Sequence, residues 1–303
     1  MALSKKIKMG LDETRMLILG AQILLGFQFS AVFGELFEQL SETARYGSAI
    51  GIGLMTCVVA LLITPGTYHR IVLSGRDDPS FQPIINFVAE TALLPFAVAL
   101  GIDVFMAGEQ VFGSLIGVTI GVSAAVIALL GWYAWPYASR PATRKAQPRM
   151  KAYRTPLEVR IEQMLTEARV VLPGAQALFG FQLSIVVTRA FSQLPDNLRS
   201  VHAVSLCLVA LAVMLLMAPA AYHRIVFDGD DTEQMHRVGS AMLTAATIPL
   251  AAGLAGDVYV VMQVIQKSPM LAAASGVAAL VLLFGLWHGF PLVARYLRPT
   301  RQG

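Results

Sequence analysis

The feature that most constrains the fold of this chain is an internal repeat at an offset of 154 residues. Residues 19–30 return as residues 173–184, with two glutamines, two glycines and a serine at the same places. The match runs without a gap from residue 13 to about residue 131 and includes the block Tyr-His-Arg-Ile-Val at residues 68–72 and 222–226. Because a tandem duplication explains this match economically, we expect two similar halves.

The composition favours a membrane protein. Hydrophobic residues make up 56% of the chain and charged residues 14%, and the mean hydropathy is +0.63. Soluble domains usually contain about 25% charged residues. An apolar stretch of about 20 residues spans the hydrocarbon layer as a helix. The sequence predicts eight such spans, at residues 16–34, 47–64, 84–107, 113–135, 170–188, 201–218, 238–262 and 271–290.

The repeat and the spans together predict the architecture. Four spans per copy is an even number, so both copies cross the membrane in the same direction and a pseudo-two-fold axis runs along the membrane normal. We expect an all-α integral membrane protein of eight transmembrane helices, built as two parallel four-helix repeats. The predicted segments are a first repeat at residues 1–137, a basic linker at 138–156 and a second repeat at 157–303, which opens with an amphipathic helix on the membrane surface.

Basic residues indicate the orientation. Lysines and arginines lie ahead of the first span, after the second, in the linker between the halves and after the last span, for example Lys5, Arg70, Arg144 and Arg295. All of these segments fall on one side of an eight-span protein. The positive-inside rule then places both termini and the linker in the cytoplasm. The lipid bilayer, with anionic lipid at this basic face, is the expected partner.

Polar side chains inside the spans are the first candidate site. An unpaired amide is costly in hydrocarbon, so these side chains are expected to face protein or water. One interpretation is that they hold helices together; the other is that they line a polar path near the pseudo-two-fold axis. The residues concerned are Gln22, Gln28, Ser30, Gln176, Gln182 and Ser184.

Carboxylates inside the spans are the second candidate site, because intramembrane acids are rare and usually functional. Asp103 and Asp257 occupy equivalent positions near the outer ends of the third and seventh spans and could attract ions at a pore mouth. Glu90 has Thr244 as its equivalent, so its charge is not repeated. An ion pair within the protein, with Arg15, is the alternative role for Glu90.

The Tyr-His-Arg blocks close the second and sixth spans. Tyrosine and arginine suit the lipid headgroup region, which predicts cytoplasmic interface anchors. The two histidines could instead form a proton-sensitive gate or ligate a haem. The residues are Tyr68, His69, Arg70, Tyr222, His223 and Arg224. His202, His236 and His288 have no counterparts and are interpreted as loop or interface residues.

No motif indicates an enzyme. The sequence contains no phosphate-binding loop, metal-ligand cluster or nucleophile–base pair, and no basic patch interleaved with aromatics that would bind nucleic acid. We therefore expect no catalytic residue, no metal and no resident cofactor.

The motifs at residues 172–176, Leu-Pro-Gly-Ala-Gln, and at residues 218–224, Ala-Pro-Ala-Ala-Tyr-His-Arg, resemble an uncharacterised family of bacterial four-span membrane proteins of unknown function. The first half departs from this pattern, with Leu19 in place of the proline and Thr64-Pro65-Gly66-Thr67 before Tyr68. The resemblance implies a bacterial inner-membrane location and a tandem version of a usually single unit. It implies no substrate, cofactor or catalytic residue.

Two functions remain open from the sequence. The first is a small ion or solute channel or transporter with a polar path near the pseudo-two-fold axis. The second is a non-transporting accessory, sensor or scaffold subunit that works with a partner membrane protein or as a homo-oligomer. A haem-binding electron-transfer protein is a more distant third.

Overall fold

The computed structural model describes residues 3–139 and 155–297, with side chains at Thr14 and from Leu17 onward. Eight long helices, four in each half, account for most of these residues, and no strand is present among them. They are α1 (Leu3–Val32), α2 (Glu42–Ile71), α3 (Phe81–Phe112), α4 (Ser114–Ala138), α5 (Leu157–Val186), α6 (Asp196–Phe227), α7 (Glu233–Gln266) and α8 (Pro269–Leu297).

Seven of these helices, α2 to α8, are long and apolar enough to cross a membrane. Among the residues of α1 whose side chains are described, Leu17–Val32 form an apolar stretch. The described residues therefore form a helical protein with seven candidate spans, and the predicted count of eight is not confirmed. Seven such helices indicate a multi-pass membrane protein.

Short polar caps set the beginnings of several helices. Ser41 accepts a hydrogen bond from the backbone N–H of Ala44 at 3.1 Å and starts α2. Thr232 does the same for Met235 at 3.1 Å and starts α7. Such caps satisfy backbone N–H groups that have no partner within the helix. Gly113 joins α3 to α4 with a φ of +85°, a conformation that side chains with a Cβ rarely adopt, so the hairpin can turn through a single residue.

The duplication extends to a distortion in the last helix of each half. A π-helical turn interrupts α4 at Leu130–Ala134 and α8 at Gly285–Gly289. In the second of these turns the buried indole of Trp287 donates to the carbonyl of Ala60 in α2 at 2.9 Å. In the first turn the equivalent residue, Tyr133, donates to a carbonyl of α3 instead. A π-helical turn changes the direction of the side chains within and after it. As a result, Trp287 contacts α2, whereas its equivalent Tyr133 contacts α3.

Helices α1 and α5 contact each other through equivalent residues. The hydroxyl oxygens of Ser30 and Ser184 lie 3.5 Å apart, and the ring centroids of Phe27 and Phe181 lie 4.5 Å apart. Each pair joins a residue to its own counterpart in the other half. A local pseudo-two-fold axis therefore passes between α1 and α5, and the two helices run in the same direction.

The symmetry is lost away from this axis. Helix α2 of the first half packs against α7 and α8 of the second, but the equivalent approach of α6 to α3 and α4 is not among the substantial helix contacts of the described chain. In the most apolar stretch of α2, and likewise of α7, 67% of the residues are buried. The corresponding share is 28% for α3 and for α6. Consequently α2 and α7 form the centre of the bundle, whereas α3 and α6 lie at its edges.

The segment predicted as an amphipathic helix ahead of the fifth span is continuous with that span. Residues from Leu157 onward are the first turns of the continuous helix α5, and both Ile161 and Met164 are almost completely buried. The helical spacing of the apolar residues reflects burial against neighbouring helices, not against lipid headgroups. Most of the predicted linker, residues 140–154, lies outside the described residues.

Glycine at position 174 is required by the close approach of α5 to α1. A Cβ at Gly174 would overlap the side-chain amide of Gln22 and lie 2.8 Å from its Cβ, and Gln22 is fully buried. At the equivalent Gly20, the nearest atom to an added Cβ is in the ring of Phe96, 3.9 Å away. Of these two equivalent glycines, Gly20 has space for a methyl group and Gly174 does not.

We expect Gly174→Ala to lower the free energy of unfolding by about 1–3 kcal/mol, the usual cost of overpacking. Gly20→Ala should be neutral or slightly stabilising, since alanine favours helix. Unfolding of the purified protein in SDS-containing detergent mixtures measures both. Equal stability of the two variants would contradict the close contact between α1 and α5.

Candidate functional site

An amide–carboxylate pair joins α1 to α3 in the first half. The side-chain N–H₂ of Gln28 donates to both carboxylate oxygens of Asp103, at 3.0 and 3.1 Å. Gln28 is 6% exposed, and Asp103 is partly exposed. The amide oxygen of Gln28 is buried and has no hydrogen-bond partner among the described residues. This pair therefore combines a bound carboxylate with one unsatisfied oxygen acceptor.

The same pair joins α5 to α7 in the second half. The side-chain N–H₂ of Gln182 donates to Asp257 at 2.5 Å, and the two residues are 1% and 3% exposed. Gln182 is the repeat equivalent of Gln28, and Asp257 is the equivalent of Asp103. The duplicated residues thus form duplicated contacts, which the sequence could not show because the partners are 75 residues apart.

A histidine closes the second of these sites. His202 of α6 places Nδ1 3.3 Å from the carboxylate of Asp257 and Nε2 3.1 Å from the backbone carbonyl of Gln182. The carbonyl can only accept, so Nε2 carries a hydrogen. A contact between Nδ1 and the carboxylate then requires one further proton on His202 or Asp257. The equivalent residue in the first half is the buried Ser48, which cannot take this role.

The interpretation of His202 as a loop or interface residue is wrong. Its side chain is 2% exposed within α6, and it packs edge-on against Phe191. The available signal was its position at the start of a predicted apolar span, where a buried histidine needs a polar partner.

The first site opens to a cavity of about 510 Å³ between α1, α3 and the turn after α1. Gln28 and Asp103 are polar members of a lining that also contains Phe27, Leu36 and Met106. Apolar walls weaken dielectric screening around the carboxylate. Asp103 is therefore placed to attract a cation or to hold a proton, and Gln28 offers an amide dipole beside it.

The polar residues closest to the axis do not form an open path. The added Cβ of an alanine at position 26 would overlap the ring of Phe181, and Ser30 lies against Ser184. Gln22 is completely buried, and neither amide atom has a hydrogen-bond partner in the described part of the chain. Its equivalent, Gln176, is exposed. The space between α1 and α5 at these positions is thus filled by side chains.

Glu90 lies apart from the other carboxylates. It is exposed on α3, where the hydroxyl of Tyr137 donates to its carboxylate at 3.4 Å and Tyr133 donates to its backbone carbonyl. The side chain of Arg15, its expected partner, lies outside the described residues. The contacts of Glu90 connect α3 to α4.

A buried ion cluster joins the two halves at one end of the bundle. Glu167 of α5 accepts from Nδ1 of His69 at 2.6 Å and from the guanidinium of Arg70 at 2.6 Å, both at the end of α2. The side chains of His69, Arg70 and Glu167 are 1%, 7% and 4% exposed. Removal of charges from water is compensated only by such close, hydrogen-bonded pairing.

This cluster corrects the predicted role of the first Tyr-His-Arg block. Tyr68 is 7% exposed and stacks with Phe81 and Phe290, so it packs against protein, as Arg70 does against Glu167. The pattern was misleading because a tyrosine and an arginine at a helix end serve equally well as a lipid anchor or as a buried contact. The sequence also missed Glu167, although its repetition as Glu13 was visible.

The second block has a different environment. His223 lies 3.5 Å from Asp231, Tyr222 accepts a hydrogen bond from Gln234 at 3.3 Å, and Arg224 is exposed. His69 and His223 thus contact different carboxylates and share no site. Among residues 3–139 and 155–297, no three His, Cys, Asp or Glu side chains are grouped so that they could hold a metal.

Two four-helix units with repeated intramembrane contacts define a duplicated, helical, multi-pass membrane protein. A family of unknown function, DUF6328, matches residues 3–136 and again residues 154–291, and the chain belongs to this family. The double match confirms both the resemblance to an uncharacterised family and the tandem duplication. No curated protein and no solved structure is similar enough to be matched.

The ion cluster predicts a large effect of neutralising its acid. We expect Glu167→Gln to lower the free energy of unfolding by about 3–5 kcal/mol, because Arg70 keeps a buried charge without its partner. Glu158→Gln, on an exposed position of the same helix, is the matched control and should change it by less than about 0.5 kcal/mol.

Combining Arg70→Met with Glu167→Gln should cost less than the sum of the two single changes, since the second removes a charge that the first has left unpaired. Unfolding in SDS-containing detergent mixtures measures the free energy of unfolding of the unaltered chain and of each variant. Strict additivity would mean that Arg70 and Glu167 do not interact.

Proposed function

We propose that this protein crosses a bacterial plasma membrane eight times and passes a small ion or solute, and that it is not an enzyme. The observation that carries the proposal is the Gln28–Asp103 pair, a carboxylate held within an apolar helical bundle and open to a cavity. An intramembrane carboxylate facing a cavity is characteristic of ion and proton pathways.

The geometry of α1 supports an eighth span. This helix has 30 residues and a length of about 45 Å, enough to cross the bilayer. It runs beside α5, its equivalent and itself a candidate span, with matching residues in contact. Parallel repeats with both termini on one side follow from this arrangement, and the basic residues at that side favour the cytoplasm.

The geometry favours a path beside the axis instead of on it. Helices α1 and α5 fill the axis, whereas Gln28 turns towards α3 and the cavity. A cation in this cavity would exchange part of its hydration for the carboxylate of Asp103, which Gln28 holds in place. Carboxylate oxygens bind protons and hard cations, so a proton or a small cation suits the site best.

Exposed apolar surface supports the proposed partners. The apolar windows of α3, α4 and α8 are 28%, 17% and 28% buried within the chain. Lipid covers such surfaces in a single copy, and a second copy or a partner membrane protein covers them in an assembly.

Flux through the purified protein in liposomes tests the proposal. We expect proton or monovalent cation flux that Asp103→Asn reduces at least tenfold while the protein remains folded. Gln176→Leu, at the exposed equivalent of Gln22, is the control and should leave the flux unchanged. Flux that persists in Asp103→Asn would contradict a path through this cavity.

A non-transporting accessory, sensor or scaffold is the second candidate. The enclosed Asp257–His202–Gln182 contact favours it, because this carboxylate is 3% exposed and is contacted by two side chains of the protein itself. Absence of flux across a panel of ions and pH values would reject the channel and leave this function. A Soret band in the purified protein would instead support the haem alternative, and its absence would reject it.

A further inference from the structure

A basic cavity lies between the two halves, at the end of the bundle that carries the Glu167 cluster. Its volume is about 770 Å³. The end of α2, the beginnings of α5 and α7 and the end of α8 surround it, so it belongs to neither half alone. The charged and titratable side chains in its lining are Arg70, Arg160, Arg237, Arg295, His236, His288 and Glu233.

Positive charge in this cavity exceeds what the protein itself neutralises. Arg70 is bound by Glu167, and Arg160 donates to Glu233 at 3.1 Å. Arg237 and Arg295 are exposed and make no hydrogen bond or ion pair with another described residue. Two arginines therefore face the cavity with no internal partner.

Further donors near the cavity are preorganised but incompletely used. Arg160 also donates to the carbonyl of Ser74 at 3.2 Å and contacts Nδ1 of His236 at 3.1 Å, which holds its guanidinium in place. The Nε atoms of Arg70 and Arg160 are buried without a hydrogen-bond partner in the described chain. Fixed guanidinium groups around a shared space are typical of phosphate recognition.

The cavity changes from basic to apolar along α7. Arg237 lies at one end of its wall and Ile248 at the other, 11 residues or about 16 Å further along the helix. Ile248 and Leu292 are 47% and 54% exposed. A ligand with an anionic group at one end and an apolar part at the other matches this gradient, whereas a fully soluble anion would leave the apolar wall uncovered.

The first half lacks the basic residues that α7 contributes to this cavity. His236, Arg237 and Thr244 have Gln82, Pro83 and Glu90 as their equivalents. The exchange removes two groups that can carry positive charge and adds a negative one. The basic residues that α7 contributes to the cavity are therefore specific to the second copy.

We propose that this cavity binds the phosphate group of an anionic membrane lipid between Arg237 and Arg295, with an acyl chain against Ile248 and Leu292. The charge excess selects the phosphate, and the exposed apolar wall selects a lipid over a soluble phosphate. The proposal does not depend on whether the protein conducts ions.

Native mass spectrometry of the full chain in detergent tests this site. The protein is titrated with phosphatidylglycerol, with phosphatidylcholine and, separately, with glycerol phosphate. We expect phosphatidylglycerol to bind more tightly than the other two. The double variant Arg237→Gln and Arg295→Gln should weaken its binding roughly 25-fold, since each arginine near an anionic lipid contributes roughly fivefold.

The matched control is Arg189→Gln with Arg224→Gln, which removes two exposed arginines outside the cavity lining. It should leave phosphatidylglycerol binding within twofold of the unaltered chain. Equal loss in both double variants would overturn the site, because binding would then follow total charge. If glycerol phosphate binds as tightly as phosphatidylglycerol, the proposal that the bound phosphate belongs to a lipid is wrong. If both lipids bind equally, the proposal that the cavity selects anionic lipid is wrong.

Discussion

Polar side chains buried between apolar helices determine how this bundle is assembled. In a bilayer, apolar faces gain little by exchanging lipid for protein, so hydrogen bonds and close packing must select the helix contacts. Gln28 with Asp103 joins α1 to α3, Gln182 with Asp257 joins α5 to α7, and Glu167 joins α5 to α2. Each contact defines which face of a helix is turned inwards.

The axis contact and the ion cluster have different consequences. Ser30 against Ser184 relates the copies symmetrically, as expected for a duplicated unit. Glu167 and the Trp287–Ala60 hydrogen bond instead draw α2 towards the second half, and the described chain contains no equivalent substantial packing of α6 against the first. The result is one central pair, α2 and α7, in a protein whose sequence is built from two equal parts.

Duplication within one chain lets the copies diverge. Asp103 stays open to a cavity, whereas Asp257 is enclosed by His202, which replaces a serine. Similarly, His236 and Arg237 in the basic cavity belong to the second copy, and the first copy has Gln82 and Pro83 at the equivalent positions. Two separate copies of one chain could not differ in this way, so the asymmetry gives one protein two chemically different environments at related positions.

The sequence anticipated the number and order of the long helices because hydropathy responds directly to the thickness of the membrane. The predicted spans are shorter than the helices that contain them. At α2, for example, the predicted span of residues 47–64 is part of the helix Glu42–Ile71. It also identified Gln28 and Asp103 as candidates, but separately. Their pairing depends on how α1 and α3 are rotated, which no local pattern contains.

By itself, the sequence determined the duplication, the helical class and the apolar spans, since each follows from composition and periodicity along the chain. Only the tertiary structure decided that Tyr68 and Arg70 are buried, that His202 closes one carboxylate site and that four arginines meet in one cavity. These contacts join residues far apart in the chain, and their free energy depends on distance and burial in three dimensions.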